Sequence, residues 1–156
     1  MAIYDYLPTY HQVEVNSLKG LQPGFVIAQM NVAEAAKATL APNGMMENGL
    51  ICDISKDGIV AATSESKNLF LHYTEPLLTL FKGQKFFAVN IDEECPRLVQ
   101  LIPGDEWMSD IAGLDVTFAG RIVEIKEGCG QFGQDDWYKV SAMADGTPAH
   151  HYMFLG

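Results

Sequence analysis

Four histidines, three cysteines and several carboxylate clusters are the side chains of this 156-residue chain whose chemistry could go beyond packing. The histidines are His11, His72, His150 and His151, and none stands in an H-E-x-x-H pattern or beside a C-x-x-C pair, the spacings that hold zinc. His150 and His151 are neighbours, and neighbours on a strand point to opposite faces, so the two do not share one metal. His72 lies within an apolar run between Leu71 and Tyr73, where a hydrogen-bonded core or surface imidazole is expected. Asp92-Glu93-Glu94, Asp105-Glu106 with Asp110, and Asp135-Asp136 bring carboxylates close together. Paired carboxylates can do acid–base work on a glycoside, but beside turns they read more simply as charge that keeps loops soluble.

Two motifs match a pattern without its context. Gly128-Cys129-Gly130-Gln131-Phe132-Gly133 fits G-x-G-x-x-G. A dinucleotide site also needs a strand before it and a helix after it, and these glycines run into acidic Gln134-Asp135-Asp136 instead. Asp53, Ser55, Asp57 and Gly58 mimic the first half of a calcium loop. The position that should carry a bidentate glutamate is Ser64, and the flanks read as strands. No Gly-x-Ser-x-Gly elbow is present, and no cysteine has a histidine beside it that would activate a thiol. No catalytic residue, metal or cofactor is expected.

The elements that position these groups are mostly short strands. Leu50–Ser55 and Ile59–Thr63 flank Lys56-Asp57-Gly58, a strong hairpin signal. Leu69 to Asp105 holds three apolar runs: one over Leu69–Pro76 with His72 in its middle, one from Phe86 to Ile91, and one from Cys95 to Asp105. Val99 and Leu101 share one side of the last. Gly104-Asp105-Glu106-Trp107 comes next, and then an irregular piece to Gly113. Val116, Phe118 and Ile122 then read as one face of a strand, with Val123 and Ile125 on the other, which predicts a β-bulge near Ile122. Trp137–Met143 and Ala149–Leu155 read as a hairpin around Asp145-Gly146. Phe25–Gln29 is a candidate first strand. Residues 31–40 carry the one helix signal, with Asn31 as cap, Glu34 at the capping-box position and a Glu34–Lys37 pair, stopped by Pro42-Asn43-Gly44. An irregular crossing loop is the alternative for that segment. The fold class is therefore mainly β: an antiparallel barrel or sandwich of about 7–9 short strands with at most one short helix.

Residues 1–24 are expected to form an extended N-terminal arm, and 25–156 a single β-domain. The arm places Ile3, Tyr4, Tyr6, Leu7 and Tyr10 in a segment broken by Pro8 and Pro23-Gly24. Tyrosines combine large apolar area with a polar tip, which suits docking on the chain's own domain or on a partner.

Bulk properties narrow the class. At this length one domain buries roughly 70% of its unfolded surface. A net charge of −10, with the ten basic residues scattered, argues against nucleic acid as a partner. No apolar stretch approaches the ~18 residues of a membrane span, so no membrane association is expected. The first residues lack the charged start and apolar core of a signal peptide. Three widely spaced cysteines, Cys52, Cys95 and Cys129, read as reduced thiols made in a cytoplasm, with Cys95 partly buried.

Leu71-His72-Tyr73-Thr74-Glu75 together with Pro96-Arg97-Leu98-Val99-Gln100-Leu101-Ile102-Pro103-Gly104-Asp105 resembles small structural proteins of tailed bacteriophages. The likeness spans 47–107, and the proteins it points to resemble capsid auxiliary or decoration proteins. It implies a non-enzymatic virion protein, made in the bacterial host cytoplasm and placed on the capsid surface. There it would bind the major capsid protein and neighbouring copies of itself, as a homo-oligomer or side by side. The alternatives are a tail or baseplate component, and a small β-barrel enzyme or ligand-binding module using His72 and nearby carboxylates.

Overall fold

The computed structural model describes residues 13–17, 27–74, 88–109, 111–125 and 150–156. They hold eleven short strands: β1 (Val13–Ser17), β2 (Ile27–Gln29), β3 (Met45–Glu47), β4 (Ile51–Ser55), β5 (Gly58–Ala61), β6 (Phe70–His72), β7 (Ala88–Asn90), β8 (Arg97–Gln100), β9 (Glu106–Ser109), β10 (Ile122–Glu124) and β11 (His150–Phe154). Two four-residue helices accompany them, α1 (Lys37–Leu40) and α2 (Leu114–Thr117). The strands form a five-stranded sheet β2-β8-β6-β4-β5, a four-stranded sheet β1-β9-β11-β10 and a β3-β7 ribbon. Among the described residues every ladder between these strands is antiparallel, and the fold is mainly β, as the apolar alternation predicts.

Two cores explain the order of layers. Across the five-stranded sheet Ile51, Leu71 and Val99 stand in one row, joined by Leu101 on the same side. They pack against Trp107, Tyr152, Phe154 and Ile122 of the four-stranded sheet, with Leu114 and Phe118 of the α2 region. On the opposite face Cys52, Ile59, Phe70 and Leu98 pack against Val32, Ala36, Leu40, Met46 and Val89. The central sheet is therefore buried on both faces. That is why β6 and the segment before it read Leu69-Phe70-Leu71 without a polar break.

The 34–40 segment begins as a 3-10 turn at Glu34–Ala36 and becomes α-helical only at Lys37. Asn31 does not cap it. Its backbone carbonyl accepts the Ile59 N–H at 3.0 Å, and its side-chain oxygen accepts the Cys95 thiol at 3.2 Å. Val32 forms a parallel bridge with Ile59, so residues 31–33 lie along the outer edge of β5 and cover it. Glu34 and Lys37 do pair, at 2.8 Å. In the β4–β5 hairpin the two-residue loop is Lys56-Asp57, and Gly58 already faces Ser55 as the first residue of β5. Its φ of +128° is used to bring the backbone against Asn31 and Ala33, where a Cβ would lie 3.0 Å from the Ala33 nitrogen.

Three expectations change. The irregular piece expected between Trp107 and Gly113 begins with the end of β9, an inner strand of the four-stranded sheet that takes in Met108 and Ser109. The strand expected through Val116 and Phe118 is instead one helical turn, with Val116 77% exposed while Leu114 and Phe118, four apart, are buried. The phase shift at Ile122 marks the change from helix to strand, not a bulge. The 1–24 span contributes β1, an edge strand paired with β9 from Val13↔Ser109 to Ser17↔Glu106. Of the C-terminal hairpin, only β11 falls within the described residues.

Candidate functional site

The polar groups of the stretch 69–74 close on one another. His72 is 0% exposed. Its Nδ1 lies 2.7 Å from the Glu47 carbonyl and its Nε2 2.8 Å from the Thr74 hydroxyl. A carbonyl only accepts, so the proton sits on Nδ1, and Nε2 accepts from Thr74. Thr74 Oγ1 in turn accepts the Arg97 N–H at 2.9 Å. Asn48 behaves as a short length of strand: Nδ2 donates to the Thr74 carbonyl at 3.1 Å, and Oδ1 accepts the Thr74 N–H at 2.9 Å. Burial pushes the imidazole pKa down to about 4, which keeps it neutral. This arrangement has neutral partners on both nitrogens, and its chemistry is that of a rivet between the β3–β4 turn, β6 and β8.

The Ile102-Pro103-Gly104-Asp105 corner joins β8 to β9, and with it the two sheets. The Asp105 N–H donates to the Ile102 carbonyl at 2.9 Å, Pro103 precedes a Gly104 with φ +95°, and these mark a type II turn. The Asp105 carboxylate, buried, accepts the Ile102 N–H at 2.8 Å. Gly104 N–H and Asp105 carbonyl then bond Phe154 at 2.7 and 2.9 Å, tying the corner to β11. A second tie is Arg121, whose guanidinium fans onto the carbonyls of Ser64, Ser66 and Lys67.

One cluster combines titratable groups with partial exposure, at the His150 end of β11. His150 Nδ1 lies 2.6 Å from Glu124 Oε1, and the ring stacks on Tyr152 with centroids 6.0 Å apart. An imidazole oriented by a carboxylate is an acid–base unit. Ser109 stands across from His150 in register, but its hydroxyl oxygen accepts the Ile111 N–H at 3.0 Å, and no hydrogen bond joins it to the imidazole among the described residues. On the other face of β11, His151 Nε2 approaches Glu106 Oε1 at 3.8 Å. Burial raises the Glu106 carboxyl pKa and lowers that of His151, so it favours the neutral form of each. Tyr152 donates to the Ile111 carbonyl at 2.6 Å, and its phenol is held above its ordinary pKa chiefly by burial. Trp107, beside it, has an indole N–H with no hydrogen-bond partner among the described residues.

His150 and His151 thus take opposite faces, as their adjacency predicts. Glu106, Glu124, Ser109 and Tyr152 have no sequence signal that joins them, because three different strands carry them. The calcium-like stretch is the β4–β5 hairpin: Asp53 Oδ1 accepts the Ile54 N–H and Ser55 Oγ donates to the Gly58 carbonyl. Among the described residues no three metal-ligating side chains converge. Cys52 and Cys95 are free thiols, Cys52 buried and Cys95 partly so. Ile3, Tyr4, Tyr6, Leu7 and Tyr10, the 128–133 glycine loop and Cys129 lie outside the described residues. No family model, no curated protein and no solved structure matches the chain.

Proposed function

We propose that this chain is a non-enzymatic structural protein of a phage virion, a decoration or cement protein that binds the major capsid protein on the shell surface. One observation carries the reading: the residues that bear the phage resemblance are spent on rigidity. His72 and Thr74 rivet three segments, and Pro103-Gly104-Asp105 holds the two sheets at a fixed corner. A shell component needs such a stiff platform, with edges covered as β5 is, and side chains elsewhere for its neighbours. The Tyr-bearing residues 3–10 are the proposed contact, and many modest contacts around a capsomer add up to firm retention.

The test is co-sedimentation of the purified chain with shells of the major capsid protein encoded beside it. Saturable binding to shells, lost on deletion of residues 1–10 while the far-ultraviolet spectrum persists, is expected. Binding to tails or baseplates instead would move the protein to that part of the particle. Binding to neither would end the structural reading. The His150–Glu124 pair favours a second reading, a small ligand-binding module or enzyme. In that case His150→Ala would abolish turnover or ligand binding, whereas a decoration protein carrying it should still coat shells.

A further inference from the structure

The chain contains two Asn-Gly steps, Asn43-Gly44 and Asn48-Gly49, and the fold treats them oppositely. We propose that Asn43 is a site of spontaneous deamidation in the folded protein, and that Asn48 is shielded from the same reaction. The chemistry needs no other reactant than water. The Gly44 backbone nitrogen loses its proton and attacks Asn43 Cγ, the bond from Cγ to the amide nitrogen breaks, and ammonia leaves with a proton from water. Water then opens the resulting succinimide at either carbonyl, giving aspartate or its β-linked isomer. Glycine in the following position leaves the nitrogen open to approach, since no Cβ stands in the way.

Asn43 is exposed, and no hydrogen bond holds its side-chain amide among the described residues. Its φ of +60° makes it the one non-glycine residue with a positive φ among the described residues, on a 3-10 turn of three residues, Pro42–Gly44. The single restraint on the attacking nitrogen is the Gly44 N–H bond to the Ala41 carbonyl at 3.0 Å. Opening one exposed turn costs little compared with opening a core. Asn48 is the contrary case. It is 2% exposed, both ends of its amide are bonded to the Thr74 backbone, and the Gly49 N–H donates to the His72 carbonyl at 2.8 Å. Forming a succinimide there breaks three hydrogen bonds inside the rivet.

The product at 43 has a local consequence. The Gly44 Cα region faces Asp92, whose Oδ2 lies 3.8 Å from where a Cβ on Gly44 would sit, and the Gly44 carbonyl accepts the Ile91 N–H at 3.0 Å. A new carboxylate joins a site that is already acidic, and the β-linked isomer adds a backbone carbon just before the β3–β7 ribbon begins.

The experiment incubates the folded chain at mildly alkaline pH and follows the peptides containing residues 43 and 48 by mass spectrometry, with and without urea. In the native protein Asn43 should convert at least about tenfold faster than Asn48, the protection expected when one site opens locally and the other with the core. In urea the two rates should converge. Equal rates in the native state, or conversion of Asn48 first, would overturn the proposal, as would a large difference that persists in urea. Asn43→Gly accepts the positive φ without strain, so it should melt as the parent does and lose the early acidic species in ion exchange. Acidic species appearing at the parental rate in that variant would also overturn it.

Discussion

Substituting His72→Asn should flatten the acid sensitivity of the fold. An unfolded imidazole takes up its proton near the ordinary value of 6.5, whereas the folded one holds out to about 4. Between those values the unfolded chain binds the extra proton, so stability is complete above 6.5 and falls as pH drops through the window toward 4. Each unit of the shift corresponds to about 1.4 kcal/mol, and integration from about pH 7.5 to about pH 5 gives a loss of about 2 kcal/mol from this one residue. With an ordinary urea dependence, that is a fall of about 1 M in the unfolding midpoint. His151 is depressed too and works in the same direction, while Glu106, with its pKa raised, gains stability as pH falls. The test is therefore the difference between parent and variant. Asparagine can keep a donor toward the Glu47 carbonyl but cannot titrate. The variant should be weaker at neutral pH by about 2–3 kcal/mol, for the lost ring packing and the Thr74 bond, and should lose about 2 kcal/mol less than the parent on acidification. Parallel pH profiles would refute the reasoning. So would a His72 proton resonance in the parent that titrates near 6.5, a measurement that does not depend on the variant folding.

Other substitutions probe the ties described above. Gly58→Ala forces a side chain into the Asn31 carbonyl at a φ of +128°, and should cost about 2–3 kcal/mol from backbone strain and the lost Ile59–Asn31 bond, read as a lowered melting temperature. Asp105→Ala leaves the Ile102 N–H without its carboxylate and should destabilise by about 2 kcal/mol in urea unfolding. Arg121→Ala frees the 64–67 loop, so trypsin should cut after Lys67 faster while global stability falls by only about 1 kcal/mol. Tyr152→Phe keeps the ring in the core and removes one 2.6 Å bond to Ile111, and should cost about 1 kcal/mol in the same unfolding assay.

Local chemistry was legible in the sequence wherever it decided the structure. The Asp57-Gly58 step marks the β4–β5 hairpin, and Val99 and Leu101 do share a core face. It was not legible where partners from afar decide. Glu106-Trp107-Met108-Ser109 is short with polar ends, and it is a strand because β1 and β11 supply ladders on both sides. Val116 and Phe118 alternate like a strand, yet the buried pair is Leu114 and Phe118, a helical spacing that the intervening apolar residue hides. Asn31 looks like a helix cap, but the β5 edge takes its carbonyl and the Cys95 thiol bonds its side-chain oxygen. For the site, the buried fate of His72 follows from its apolar neighbours, whereas one of its partners, the Glu47 carbonyl at the end of β3, lies 25 residues earlier in the chain. The pairing of His150 with Glu124 is likewise set by the β10–β11 ladder and by no spacing in the sequence.

The two cores differ in how much chain they require. Among the described residues, every buried residue of the core behind the five-stranded sheet falls between Val32 and Leu98. The core between the sheets cannot close without Tyr152 and Phe154, and β9 joins β1 and β11 from distant parts of the chain. As the protein emerges from a ribosome, the described side chains of the first core are all available before Tyr152 and Phe154 of the second. For that interval Ile51, Leu71 and Val99 present an apolar face without the cover of Tyr152 and Phe154, a row of β-forming residues more open to association with other chains. Every copy passes through that interval, so the yield of folded chain depends on how quickly β11 arrives.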